Sequence, residues 1–236
     1  MVLFSFSIPG KKKVLWMIGD STMAIKSVKN LPETGWGMPF KIFFDSSVSI
    51  ENHARNGQST GSFIKEDLWK PVAENMKSGD YVFIQFGHND EVKEKIGRYT
   101  TPGEYTANLT RFISEARLKN ATPILLTPVS RRNFVNGKQV ETHEAYSKLV
   151  RKVAADLKVP FIDLDVKSQE LYQQLGEEPS KLLFLHLKPN EHPNYPDGKT
   201  DNTHFSELGA RLVAQLVLAE MRKLNLDLTN HLVKKK

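Results

Sequence analysis

Three side chains of this 236-residue sequence have the chemistry needed to transfer an acyl group: the serine of Gly19-Asp20-Ser21-Thr22 and the two ends of Asp201-x-x-His204. A serine hydroxyl is a poor nucleophile at neutral pH. It needs a base to take its proton, and the base needs an acid to orient it. A D-x-x-H spacing near a helix start places the carboxylate beside the imidazole, so that one ring nitrogen is held while the other faces the serine. The tetrahedral intermediate further needs donors that already point at its negative oxygen. Three segments offer them: the Ser21 backbone N–H, the N–H of Gly57, where no Cβ blocks close approach, and the side-chain amide of Asn89. Each motif taken alone has a plainer meaning. A Gly-Asp-Ser is often a turn, Asn89 suits a helix cap, and Asp201 suits an Asx turn. Their occurrence together, in one order, favours a serine hydrolase that needs neither a cofactor nor a metal.

Positioning these groups requires elements that converge at one edge. Short apolar runs at Val14–Ile18, Val48–Ile50, Tyr81–Phe86, Pro123–Thr127 and Pro160–Leu164 are bounded by Gly, Pro, Asn or Asp and predict five buried strands. Helical periodicity marks Leu68–Met76, Tyr105–Leu118, Glu141–Leu157 and Glu207–Leu224. This alternation predicts an α/β fold, a three-layer α/β/α sandwich around a five-stranded, mostly parallel, flavodoxin-like sheet, because parallel neighbours require crossovers. Ligands of such sheets bind beyond the carboxyl ends of the strands. Ser21, Gly57 and Asn89 follow the first three strands there. Asp201 and His204 are expected just before the last helix, after an irregular stretch from His186 to Thr200 of the length typical of a functional loop.

Composition narrows the function classes. Hydrophobic residues make up 39% and charged residues 25%, the balance of a soluble globular chain, and a single domain over residues 1–236 with its core at about 12–226 is expected. No apolar run approaches the roughly 20 residues that cross a bilayer, so no membrane role is expected. The formal net charge is +6, but Lys11–Lys13 and Lys234–Lys236 put six positive charges near the ends, where they serve as solvated tails. Without basic residues interleaved with aromatics, nucleic acid is not an expected partner. The absence of cysteine removes thiol chemistry and leaves the compartment open. Met1–Gly10 is apolar, but its basic run comes after it rather than before, so no intact signal peptide is read there.

The motifs stand as Ile18-Gly19-Asp20-Ser21-Thr22, Ala54-Arg55-Asn56-Gly57-Gln58-Ser59, Gly87-His88-Asn89-Asp90 and Asp201-Asn202-Thr203-His204. In that order they resemble the four blocks of the SGNH, or GDSL-like, hydrolase superfamily, and the resemblance runs from Val14 to Leu224. Within it the Gly-Asp-Ser-Thr-Met-Ala opening, Gly35-Trp36-Gly37 and Gly-His-Asn-Asp are similar to the rhamnogalacturonan acetylesterases. The resemblance implies Ser21, Asp201 and His204 as catalytic residues, an oxyanion hole of Ser21, Gly57 and Asn89, and acetylated pectic polysaccharide as substrate. It also implies a secreted or periplasmic protein.

Candidate substrate contacts are Trp36, His88, Arg131 and Tyr195. Trp36, Tyr195 and Phe205 flank the motifs and suit either stacking on sugar rings or core packing. Arg131 and Arg132 suit either uronate carboxylates or surface ion pairs. His88 lies inside the third block, where a structural hydrogen bond holding the loop competes with contact to substrate. His53, His143 and His231 are expected on the surface or in packing, and the spacing of His186, His192 and Asp197 matches no helical zinc motif. Competing readings are an esterase for acetyl-xylan, lysophospholipid or thioester, and an idle carbohydrate-binding protein on the same fold. The oligomeric state is not readable from the sequence.

Overall fold

A computed structural model describes residues 12–233; Met1–Gly10 with Lys11, and the Lys234–Lys236 tail, lie outside the described residues. The strands are β1 (Lys13–Gly19), β2 (Val48–Asn52), β3 (Tyr81–Gln85), β4 (Thr122–Leu126), β5 (Phe134–Val135), β6 (Lys138–Gln139), β7 (Phe161–Ile162), β8 (Phe184–Leu187) and β9 (Lys199–Phe205). The helices are α1 (Gly37–Phe40), α2 (Thr60–Lys65), α3 (Trp69–Asn75), α4 (Pro102–Leu118), α5 (Glu144–Asp156), α6 (Leu164–Leu175) and α7 (Glu207–Lys223).

Five strands make the central sheet in the order β2-β1-β3-β4-β7, and every neighbouring pair is parallel. The sheet is the one expected from the apolar runs, wholly rather than mostly parallel. Its two faces follow from the period of two along each strand. In β1, Leu15 and Met17 face a core shared with α1, α6 and α7, while Trp16 and Ile18 face a second core under α3, α4 and α5. Helices therefore cover both faces and leave the two sheet edges and the strand ends open to loops. The chain reverses its direction of travel across the sheet between β1 and β3, and that is where a doubly wound sheet forms its crevice.

Local chemistry fixes where the helices begin. Thr101 and Glu104 form a capping box before α4, with Pro102 in the first turn, and Ser206 caps α7 by accepting the Gly209 N–H. The Ser206 cap directly follows β9, so the helix start sets the point at which that strand must end.

The region after β7 departs from expectation. Leu164 opens α6 instead of closing a strand, and the segment from His186 to Thr200 is not wholly irregular, because its ends belong to an antiparallel pair, β8 with β9. Asp201 and His204 thus lie on β9, just before the last helix as expected. A period-two reading fails here because the pairing carries a bulge: Leu185 faces Asp201 while its neighbour Phe184 faces Phe205, so residues 202–204 bow out of the ladder. Among the described residues no helix is long and apolar enough to cross a membrane.

At the end of β1 two strands approach closely. A Cβ on Gly19 would stand 2.5 Å from the carbonyl oxygen of Gln85 in β3, so that only glycine lets the two strands approach just before the Ser21 turn. Gly19→Ala is expected to lower unfolding stability by about 1–3 kcal/mol, as overpacking against a fixed backbone does, measured by urea denaturation. A variant as stable as wild type would show that the strands separate without cost.

Candidate active site

The Ser21 turn is built by an acidic side chain, Asp20. Asp20 is fully buried, and its Oδ1 accepts the Thr22 N–H at 2.9 Å and the Thr22 hydroxyl at 2.7 Å, folding the chain sharply after β1. The Thr22 hydroxyl in turn accepts from Gln85 Nε2 at 2.8 Å, and Gln85 Oε1 accepts the Trp36 indole N–H at 2.6 Å. Trp36 is 0% exposed. The expectation that it stacks on sugar is corrected: it props the turn from below, since its one polar atom found a buried partner inside the sheet. Phe205, 0% exposed, is likewise core.

Above the turn, three side chains from opposite ends of the sequence come together. Ser21 Oγ lies 2.9 Å from His204 Nε2, and His204 Nδ1 lies 2.8 Å from Asp201 Oδ2. The second oxygen of Asp201 accepts the backbone N–H groups of Thr203, at 2.7 Å, and His204, at 3.0 Å. Burial opposes ionisation of Asp201, yet the hydrogen bond and charge of His204, with those two N–H groups, hold its carboxyl well below the usual range. An ionised carboxylate only accepts, so the proton between the two must sit on Nδ1. That leaves the Nε2 lone pair facing the serine hydroxyl.

The bulge that presents His204 is anchored from behind by Arg132. This guanidinium is buried and donates to Ser180 Oγ at 3.0 Å, Asn202 Oδ1 at 3.2 Å and the Glu177 carbonyl, while the Arg132 N–H donates to the Asn202 carbonyl at 2.9 Å. His186 Nε2 adds a contact to the same Asn202 oxygen at 2.8 Å. Arg132 is therefore spent on the fold, whereas Arg131 reaches the cleft.

Opposite the hydroxyl, the three expected donors share one pocket wall. Gly57 adopts φ +74°, a left-handed turn open to the cleft, and neither the Ser21 nor the Gly57 N–H is hydrogen-bonded among the described residues. Asn89 gives one amide hydrogen to the Gln58 carbonyl at 2.9 Å, and its Oδ1 accepts Lys95 Nζ at 2.8 Å, so the amide is fixed with one hydrogen unspent.

The cleft has a volume of about 370 Å³ and is lined by polar side chains: Ser21, Glu33, Asn56, His88, Asn89, Lys95, Arg131, Thr203 and His204, with Gly57. His88 is buried in its wall and packs edge-on against His143 with ring centroids 4.2 Å apart. Burial, reinforced by the Arg131 guanidinium, pushes its pKa well down. Arg131 Nη1 and His143 Nδ1 share Glu91 Oε1, at 3.0 and 2.9 Å. Tyr195 does not line the cleft. Its hydroxyl donates to the Asn30 carbonyl at 3.0 Å, and Asn194 Nδ2 holds the carbonyls of Val28 and Leu31, each at 2.8 Å. Tyr195 thus helps to fix the segment that delivers Glu33. Glu33, Lys95 and Lys26 were not singled out from the sequence, where isolated charged residues in polar segments carry no periodic or spacing signal. Among the described residues no group of three or more His, Asp or Glu side chains is arranged to hold a metal ion.

A parallel α/β/α sandwich with a hydroxyl, imidazole and carboxylate in line at its crevice is the arrangement of an ester-hydrolysing enzyme. Comparison with known proteins gives the family: the chain matches the GDSL-like Lipase/Acylhydrolase family over residues 17–212, and it belongs to that family. It is 44% identical, over 93% of its length and 94% of the relative's, to rhamnogalacturonan acetylesterase RhgT of Bacillus subtilis (strain 168). The solved structure of YxiM from Bacillus subtilis superposes with a TM-score of 0.75 at 23% identity; 91% of this chain is covered, against 57% of that longer one. Axe2, an acetylxylan esterase from Geobacillus stearothermophilus, superposes with a TM-score of 0.61 at 18% identity, covering 90% of this chain and 95% of that one. These two solved structures share the fold.

Asp90, next to Asn89, is buried with Oδ1 bonded to the Thr60 N–H and hydroxyl, and burial raises its pKa to about 7. A carboxyl whose folded pKa is raised keeps its proton longer in the folded state, so this group's contribution to stability declines as pH rises from about 4 to about 7. Asp90→Asn is expected to flatten the fall of Tm over that interval, read by calorimetry at stepped pH. An unchanged slope would mean that Asp90 is ionised throughout.

Proposed function

We propose that this enzyme is a carbohydrate acetylesterase that removes O-acetyl groups from pectic rhamnogalacturonan by a serine acyl-enzyme mechanism. The observation that carries the mechanism is the continuous line from Ser21 Oγ through His204 to Asp201, with gaps of 2.9 and 2.8 Å. In the first step the Ser21 oxygen bonds to the acetyl carbonyl carbon as its proton passes to His204 Nε2. The bond from that carbon to the sugar oxygen then breaks, and the same imidazole returns the proton to the departing hydroxyl. Water repeats the sequence on the acetyl-serine, releasing acetate. Ser21 N–H, Gly57 N–H and the unspent hydrogen of Asn89 serve the oxyanion in both halves.

Two features support the substrate. The relative at 44% identity is named a rhamnogalacturonan acetylesterase, and alignment covers nearly the whole of both chains. The cleft is polar and carries two cations, Arg131 and Lys95, suited to the carboxylates of an acidic polysaccharide. A long acyl chain would require an apolar groove, and the side chains lining this cleft are polar.

Ser21→Ala is expected to abolish acetate release, and Asn89→Ala to lower kcat by about 10²–10³, the usual cost of one oxyanion donor. Near-normal turnover in the second variant would remove Asn89 from that role. For the substrate, acetate release from acetylated rhamnogalacturonan is expected to exceed release from acetylated xylan. Arg131→Gln should raise KM for the pectic substrate and leave a small neutral aryl acetate unaffected. Preference for xylan would overturn the substrate while leaving the chemistry in place.

A further inference from the structure

Beside the line of Ser21 and His204 sits a buried ion pair that the mechanism above does not use. Lys26, its side chain 1% exposed, has three acceptors around its ammonium: Glu33 Oε1 at 2.6 Å, Asn56 Oδ1 at 2.8 Å and the carbonyl oxygen of Ser21 itself at 2.5 Å. These partners belong to three separate segments, namely the strap after the nucleophile turn, the segment leading to Gly57, and the turn. Glu33 Oε1 also lies 4.0 Å from His204 Nε2, the nitrogen that faces the serine. Burying such a charge is costly, and a buried pair is seldom a net gain over apolar packing, so its location at the reacting atoms calls for another role. Burial indeed presses the Lys26 pKa down, and the charge of Glu33 works against that shift.

We propose that Lys26 and Glu33 form a positioning pair for the reaction: the ammonium clamps the Gly57 segment to the Ser21 turn, and the carboxylate steadies the imidazolium that forms when His204 takes the serine proton. The inference rests on the serine-esterase reading. Clamping keeps two of the oxyanion donors, the Ser21 and Gly57 N–H groups, at a fixed separation, which is the preorganisation that makes such donors effective. The carboxylate adds a favourable charge on the side of the ring opposite Asp201, at a distance where charges in a sheltered cleft interact appreciably. The other charged or titratable groups near this ring are Asp201 from β9, Asp20 in the turn, His88 after β3, Arg131 after β4 and Lys95. They are the same in every variant below.

The test is the pH profile of kcat/KM with p-nitrophenyl acetate, a probe that engages the reacting centre without sugar contacts. Glu33→Gln removes the anion and leaves Lys26 uncompensated, so the acidic limb, set by protonation of His204, should move to lower pH. Lys26→Met removes the cation and leaves the carboxylate, so the limb should move to higher pH, and kcat should fall about 10- to 100-fold with KM changed less than about threefold. The double variant should return the limb towards wild type while keeping the low kcat. Lys26→Arg, which retains charge and donors, should recover part of the turnover. Limbs that stay in place, with kcat within about twofold of wild type, would overturn the pair's role. If Lys26→Met does not fold, Glu33→Gln decides alone, since its amide oxygen still accepts from Lys26 and an unmoved limb there overturns the proposal. A wild-type protein inactive on every ester would overturn both the pair and the esterase reading; an active one with unaffected variants would overturn the pair alone.

Discussion

The cleft depends on how the two oxygens of one carboxylate are used. Asp201 Oδ1 accepts two backbone N–H groups of its own bulge, and Oδ2 holds the imidazole of His204. The first pair of bonds shapes the bulge, and the shape delivers the ring to Ser21. Backbone and side-chain order are thus coupled through a single ionised group. Its ionisation is favoured by the same contacts it organises. The bulge is needed because residues three apart on a regular strand point to opposite faces, which would put the carboxylate and the ring on different sides of β9.

A second, buried layer of polar contacts sits under the first. Trp36, Gln85, Thr22 and Asp20 form a chain of hydrogen bonds from the helix-covered core to the Ser21 turn. Each link satisfies a group that would be expensive to bury alone, and together they allow the turn few alternatives. Arg132 does the same work behind the bulge, with Ser180, Glu177 and Asn202 as partners. The reacting groups rest on supports that never touch the cleft. In the proposed reaction this means little reorganisation when charge develops on the substrate oxygen.

Charge is distributed unevenly around the cleft. Arg131 and Lys95 face it from the segments after β4 and β3, while Glu33 and Asp201 flank the imidazole. In the proposed reaction this pairs cations with the substrate and anions with the imidazolium that forms and discharges. His88, kept neutral by burial, adds bulk to the wall without adding charge.

The sequence by itself determined the sheet, because apolar runs of strand length between helical periods leave few alternatives, and the five strands lie where those runs predict. It also singled out Ser21, Gly57, Asn89, Asp201 and His204, whose types and order carry the resemblance to the GDSL-like enzymes. What it did not contain was the geometry of contact between distant segments. The β8 and β9 pairing was invisible because its ends are polar and its ladder is bulged, so neither periodicity survives. Trp36 was read as suited to sugar stacking or to core packing, and Arg132 as a surface ion-pairing residue or a uronate ligand; only the packing decided, by surrounding both with buried partners. Glu33, Lys26 and Lys95 gave no signal at all, since a charged side chain in a polar segment looks the same whether it faces water or meets a carboxylate folded back from elsewhere. Residue type is a property of the chain; whether a charge has a partner, and which one, is a property of three-dimensional proximity.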